Sequence, residues 1–214
     1  MVLTDRDRQI LGDVGQFRIL TRHQLERLGH FGSKTRANAI LLRLTRFGYL
    51  SRRHLPTIAG TQRGLYYLGP KGVALGSDPH AAHTSRRKAR ALSDLFAAHQ
   101  LAVTDVLVSF RQAPACSIQR WMTDDELRST QLGVVPDGHI EYRFNDKQFG
   151  AFVELDRGTE TLGRFQGKVR AYQRLAGSGT YQRVFGRPYF RVLVIATSAR
   201  RIEHLRRATA SLTD

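Results

Sequence analysis

Three carboxylates and one amine carry the chemistry that this sequence offers. Asp137 stands in Pro136-Asp137-Gly138 at the head of a strand-like run. Glu154 and Asp156 close a second strand-like run, KQFGAFVELD, which is apolar and aromatic. Residues two apart on a strand share a face, so Glu154 and Asp156 point to one side. If the Asp137 strand pairs beside theirs, the three carboxylates converge. Ionised carboxylates a few ångströms apart repel, and raised pKa values follow. A divalent cation removes that cost, and Mg²⁺ or Mn²⁺ takes oxygen ligands. Asp137, Glu154 and Asp156 are therefore the candidate metal ligands. Lys168 completes the candidate catalytic set. Phe165, Lys168 and Tyr172 share one helix face through spacings of three and four. That places Lys168 at the edge facing the sheet.

A plainer reading competes with this one. Asp137 makes a turn with Pro136 and Gly138, and Glu154 and Asp156 pair with arginines such as Arg157. Asp94 or Asp105 offers a fourth ligand from a long helix. His83, His99, His139 and His204 show no metal spacing, and the single Cys116 excludes a cysteine cluster. Neither zinc nor an organic cofactor is expected.

The second chemistry is recognition of a polyanion. Lys and Arg number 34 against 18 Asp and Glu, a net charge of +16. Residues 1–90 hold 17 basic and 5 acidic residues, net +12. Such a half is the electrostatic footprint of a nucleic-acid binder. Its elements place the charges. Thr4 caps a first helix with Ile10, Leu11, Val14 and Phe17 at helical spacing. Thr21 caps a second, ended by Gly29. Ser33 caps a third, with Ala37, Ile40, Leu41, Leu44 and Phe47 in one apolar stripe. Two short strands follow, Leu50–Pro56 and Gln62–Leu68, joined by a turn at 57–61. Ser33, Lys34, Arg36 and Asn38 lie where base edges are within reach, since Arg and Asn have bidentate geometry for guanine and adenine. Arg43, Arg46, Arg52, Arg53 and Arg63 suit phosphates.

The stretch Gly69–Pro79 reads as a domain boundary with a short helical turn inside it. Beyond it, Ser85–Gln112 is one long helical pattern with a basic start, and Leu92, Leu95, Phe96, Val103, Val106, Leu107 and Phe110 mark its buried side. A strand CSIQRWM follows, then a polar segment, then the two acidic strands. Thr159 and Glu160 look like the first turn of the next helix. A Gly/Ser loop leads to PYFRVLVIATS, a near-continuous apolar strand, and a basic last helix.

Three helices and a basic hairpin resemble a winged helix-turn-helix, with LLRLTRFGYLSRR similar to the end of a recognition helix and the first wing strand. The resemblance implies a third helix in the major groove and a wing at the backbone. From Ser85 the order helix, three strands, helix, strand, helix resembles the PD-(D/E)xK nuclease-like fold. By position Asp137 matches that family's Asp and Glu154 its second acid. Asp156 stands where the family has Lys, and Lys168 on the next helix is the substitute. A winged helix followed by PDG, E-x-D-R-G-T and a helical Lys and Tyr resembles the replication-relaxation family, associated with plasmid replication, mobilisation and DNA relaxation.

The fold class expected is α+β, an N-terminal winged helix-turn-helix over 1–78 and an αβββαβα restriction-endonuclease-like domain over 79–214. The function expected is duplex DNA binding in plasmid or mobile-element replication, relaxation or mobilisation. A Mg²⁺-dependent endonuclease and a winged-helix regulator are the alternatives. Double-stranded DNA is the expected partner, with replication or mobilisation proteins and a second copy as further candidates. No run approaches the roughly 20 apolar residues of a membrane span. The N-terminus lacks an apolar core for a signal peptide. A cytoplasmic protein at the nucleoid or a plasmid is expected.

Overall fold

Thr4 fixes where the first helix starts. In the computed structural model, which describes residues 2–56, 62–76 and 93–213, its backbone N–H donates to Asp7 at 3.0 Å. Its hydroxyl accepts from the Asp7 N–H at 3.2 Å. This reciprocal cap satisfies two orphan donors of helix α1, Asp5–Phe17. Ile10, Leu11, Val14 and Phe17 are buried from it. Strand β1, Leu20–Thr21, leads into α2, Arg22–Arg27, where Thr21 and Gln24 repeat the same cap. Ser33 caps α3, Lys34–Arg46, and Ala37, Leu41 and Leu44 face inward. Phe47, placed on that stripe by its spacing, is 47% exposed. Gly48 at φ +79 turns the chain into a conformation that L residues avoid.

Strands β2, Leu50–Pro56, and β3, Gln62–Leu68, pair antiparallel with Leu50 opposite Leu68. β1 adds to β3, giving the order β1-β3-β2. The turn at 57–61 lies outside the described residues. Helix α4, Pro70–Val73, is the short helical turn expected within 69–79. A Cβ at Gly69 or Gly72 would collide with the carbonyls of Gly48 and Tyr49. This stretch is packed against the root of the hairpin.

Helix α5, Asp94–Gln112, joins the same core. Ala97 and Leu101 pack with Ile19, Leu55, Leu65 and Tyr67. The chain divides into two compact units, Met1–Gln112 and Ala113–Asp214, whereas the sequence reading divides it after residue 78. Order along the chain groups α5 with the strands that follow it, but its buried side fits the N-terminal core. Its basic start and Leu92 lie outside the described residues. Leu95 and Phe96, expected inside, are 72% and 43% exposed.

The second unit is built on a four-stranded sheet in the order β4-β5-β6-β7. β4 is Cys116–Thr123, β5 Gly138–Phe144, β6 Lys147–Asp156 and β7 Arg191–Ala196. The first three are antiparallel neighbours; β7 runs parallel to β6. The polar segment after β4 folds into α6, Asp124–Arg128, capped by Thr123 and Glu126. α7, Leu162–Gly177, starts from the cap Thr161, so Thr159 and Glu160 precede it. Part of the expected Gly/Ser loop is helical, α8, Thr180–Phe185. α9, Ala199–Thr213, ends the described chain. Met122, Leu127, Phe152, Tyr172, Tyr181 and Phe185 form the centre of the core. Strand β7, read as a near-continuous apolar strand, is an edge strand whose residues 192–196 are half-buried. Helices with two sheets make the fold class α+β. No helix of the described residues is long and apolar enough to cross a membrane.

Candidate functional site

The Pro-Asp-Gly at the head of β5 and the end of β6 meet as the strand pattern demands. Gly138 pairs with Val153, and the Asp137 N–H donates to the Val153 carbonyl at 3.0 Å. Antiparallel pairing then sets Asp137 opposite Glu154 on one face. The Asp137 carboxylate accepts from the Leu155 N–H at 2.7 Å. Glu154 is 2% exposed. One of its oxygens accepts from Lys168 Nζ at 2.7 Å. The other accepts from the Tyr172 hydroxyl at 2.6 Å. Lys168 also reaches Glu160 at 3.3 Å. The 3-and-4 spacing on α7 thus brings Lys168 and Tyr172 to the same carboxylate.

Burial raises the pKa of Glu154, opposed by Lys168 and Tyr172 and reinforced by Asp137. Burial works against the charge of Lys168, but Glu154, Glu160 and Asp137 outweigh it and raise its pKa. Tyr172 is pushed well above the ordinary phenol range by burial and by Glu154. His139, fully buried, is pulled down to about 4 by burial and by Arg120 and Arg187. It bonds the Tyr181 hydroxyl at 3.0 Å and packs in the aromatic core, as a core histidine does.

Asp156, 4% exposed, has a different partner from the one expected. Arg201 grips it with Nε at 2.9 Å and Nη2 at 2.7 Å. The same guanidinium donates to the Glu160 carbonyl. The other Asp156 oxygen accepts from the Gly158 N–H. Arg157, the expected partner, is exposed. The donor set does not fit a three-carboxylate metal site in this arrangement. Both oxygens of Glu154 and both of Asp156 are occupied by protein donors. Among the described residues, no three His, Cys, Asp or Glu side chains are grouped to hold an ion. Asp94 and Asp105 belong to the other unit, paired with Arg53 at 3.0 Å and Arg27 at 3.3 Å.

In the N-terminal unit the basic residues divide into two sets. Lys34, Arg36, Arg46, Arg52 and Arg63 are exposed on α3 and the hairpin. Others are committed to the fold. Arg43 holds the buried Asp7 through two hydrogen bonds of 2.6 and 2.7 Å. Ser33 serves its cap, accepting from the Arg36 N–H at 3.3 Å. Asn38 Oδ1 accepts from Arg22 at 2.9 Å. Arg52, of the exposed set, lies over the Tyr66 ring at 5.7 Å. Arg22, Asn38, Arg52 and Arg63 line one cleft of about 470 Å³.

A model of the replication-relaxation family matches residues 11–187. The chain belongs to the replication-relaxation family. The match begins within α1 and runs through both units to the loop before β7. No curated protein and no solved structure matches the chain. A replication- or relaxation-related role follows from membership.

The sequence reading of this replication-relaxation protein missed Arg201 because it lies 45 positions from Asp156. The signal was present in the basic start of the last helix, once β7 is known to run parallel to β6. Parallel neighbours end at the same side of a sheet, so the helix after β7 begins beside Asp156. It also missed Arg22, read only as part of a short helix.

Proposed function

We propose that this replication-relaxation protein binds duplex DNA through its N-terminal unit. In this reading the unit is a winged helix-turn-helix, with α3 in the major groove and the β2–β3 hairpin along the backbone. One observation carries it: Lys34, Arg36, Arg46, Arg52 and Arg63 are exposed on those two elements, while nearby acids are neutralised internally. Asp7 is held by Arg43, Glu26 by Arg22, and Asp13 by His30 and Arg111. The outward field is therefore cationic where a phosphate backbone would lie. Anisotropy of a labelled duplex should show affinity falling steeply with salt, with a slope near −0.9 per neutralised phosphate. Affinity indifferent to salt would sink the reading.

The C-terminal unit is proposed to be nuclease-like in fold and to serve binding rather than hydrolysis. Arg201 on Asp156 and Lys168 on Glu154 support that choice, because each acid already has its counter-charge. Cleavage remains the second reading, favoured by Asp137 standing opposite Glu154 with Lys168 adjacent. Supercoiled plasmid with Mn²⁺ separates them: nicking by the wild type that Asp137→Ala abolishes would establish the nuclease.

A further inference from the structure

The residues at the centre of the solvent face of α3 are not the ones whose chemistry first draws notice. Ala37, Leu41 and Leu44 are buried, and at 100° per residue the direction opposite to them belongs to Thr35, Ala39, Leu42 and Arg46. All four are exposed, as is Asn38 at the edge of the row. Leu42 is 48% exposed, an unfavourable place for a leucine unless something covers it. Asn38 flanks this stripe on one side and Arg36 and Arg43 on the other, and Arg43 is tied to Asp7.

Building on the proposed DNA reading, we infer that this stripe selects thymine, through its C5-methyl group and O4, across the bases that α3 faces. Thr35, Ala39 and Leu42 present methyl groups at positions i, i+4 and i+7. At 1.5 Å per residue that row spans about 10 Å, or roughly three base steps. Thymine is the base that shows a methyl in the major groove, beside an O4 acceptor. Along the helix Asn38 falls between Thr35 and Leu42, at the edge of the row that faces Arg22. Its Oδ1 already accepts from Arg22 at 2.9 Å, and Arg22 is in turn held by Glu26 at 3.1 Å. Adenine recognition by asparagine uses both the carbonyl and the amide nitrogen. With its carbonyl engaged, Asn38 offers its N–H donors, which match an acceptor such as O4. The adenine contact expected for Asn38 is thus replaced by a thymine contact. A protein partner fits less well, because the row is narrow and is flanked by the cations Lys34, Arg36, Arg52 and Arg63. A polyanion bearing methyl groups satisfies both features.

The test uses the full-length protein and four labelled duplexes of equal length. They are alternating dA·dT, the same with deoxyuridine for thymidine, alternating dG·dC, and the same with 5-methylcytosine. Uracil keeps O4 and lacks only the methyl, and 5-methylcytosine restores the methyl on another base. Each methyl buried against Leu42 or Ala39 is worth about fourfold in Kd. Wild type should therefore bind the thymine duplex several-fold more tightly than the uracil duplex, and the methylated dG·dC duplex more tightly than the unmethylated one. Leu42→Ala should remove most of both differences while its uracil affinity stays unchanged. Asn38→Ala should weaken thymine and uracil duplexes alike. Arg63→Ala, the control for backbone binding, should weaken all four equally. Equal affinity of the wild type for thymine and uracil duplexes overturns the inference and leaves DNA binding standing. Failure to bind any of the four overturns both.

Discussion

Glu154 owes its state to two donors that reach it from one helix. Its carboxylate is buried, so charge on it is costly, and Lys168 and Tyr172 offset that cost. Removing the cation should expose the imbalance. In Lys168→Met the pKa of Glu154, already raised, climbs further. A folded-state pKa above the unfolded one means that the folded protein keeps a proton that the unfolded chain releases. Stability from that proton is present below the unfolded carboxylate pKa and is lost as pH rises through the folded value. The variant should therefore match the wild type best at or below the ordinary carboxylate range and fall behind as pH rises above it. At neutral pH the deficit is about 3 kcal/mol, the lower end for a broken buried pair because Lys168 is partly exposed. Melting curves by circular dichroism across these pH values check it. Parallel pH profiles for the two proteins would remove Lys168 from this role.

At the scale of elements, Arg43 shows how spacing and packing assign different tasks. It lies on α3, and its residue type and position place it among the phosphate-binding arginines. The structure instead makes it a clasp between α3 and α1, since Asp7 is fully buried at the start of α1. Arg43→Ala should cost about 2 kcal/mol of stability by stranding Asp7, with duplex affinity little changed below the melting range. The hairpin behaves in the opposite way. Arg52→Ala with Arg63→Ala should leave the melting temperature nearly unmoved and should lower the salt slope by about one for each phosphate no longer neutralised. Denaturation and anisotropy on the same preparations separate the two outcomes. A large drop in the affinity of Arg43→Ala at unchanged stability would return that residue to the interface.

For the whole molecule, the decisive fact is where the first unit ends. Helix α5 contributes Ala97 and Leu101 to the core that contains Ile19, Leu55 and Leu65. Gln24 anchors it further, donating to the Leu101 carbonyl at 2.9 Å. A fragment cut after residue 78 exposes that core and should not give a cooperative transition. A fragment of residues 1–112 should melt cooperatively and keep salt-dependent duplex binding. Expression of both with thermal denaturation decides this. Cooperative melting of the shorter fragment would show that α5 is dispensable to the unit.

Local signals determined the elements. Ser or Thr at caps, Gly48 at a stop and the short strand-like runs of β2, β3, β5 and β6 are properties of a few neighbouring residues, so helices and strands of the N-terminal half were legible with their ends. So was the approach of Asp137 and Lys168 to Glu154, because strand period and helix spacing fix faces without knowledge of the rest. The replication-relaxation membership was legible for the same reason, being carried by short motifs in order. Tertiary structure alone decided the long-range partners. Arg201 and Asp156 are 45 positions apart, and Arg43 and Asp7 are 36 apart. The seat of α5 on the first core is likewise a meeting of distant segments. Which of several arginines meets a carboxylate depends on the path of the chain between them. Composition supplies the charges, and only the packing says which are neutralised within the fold and which face outward.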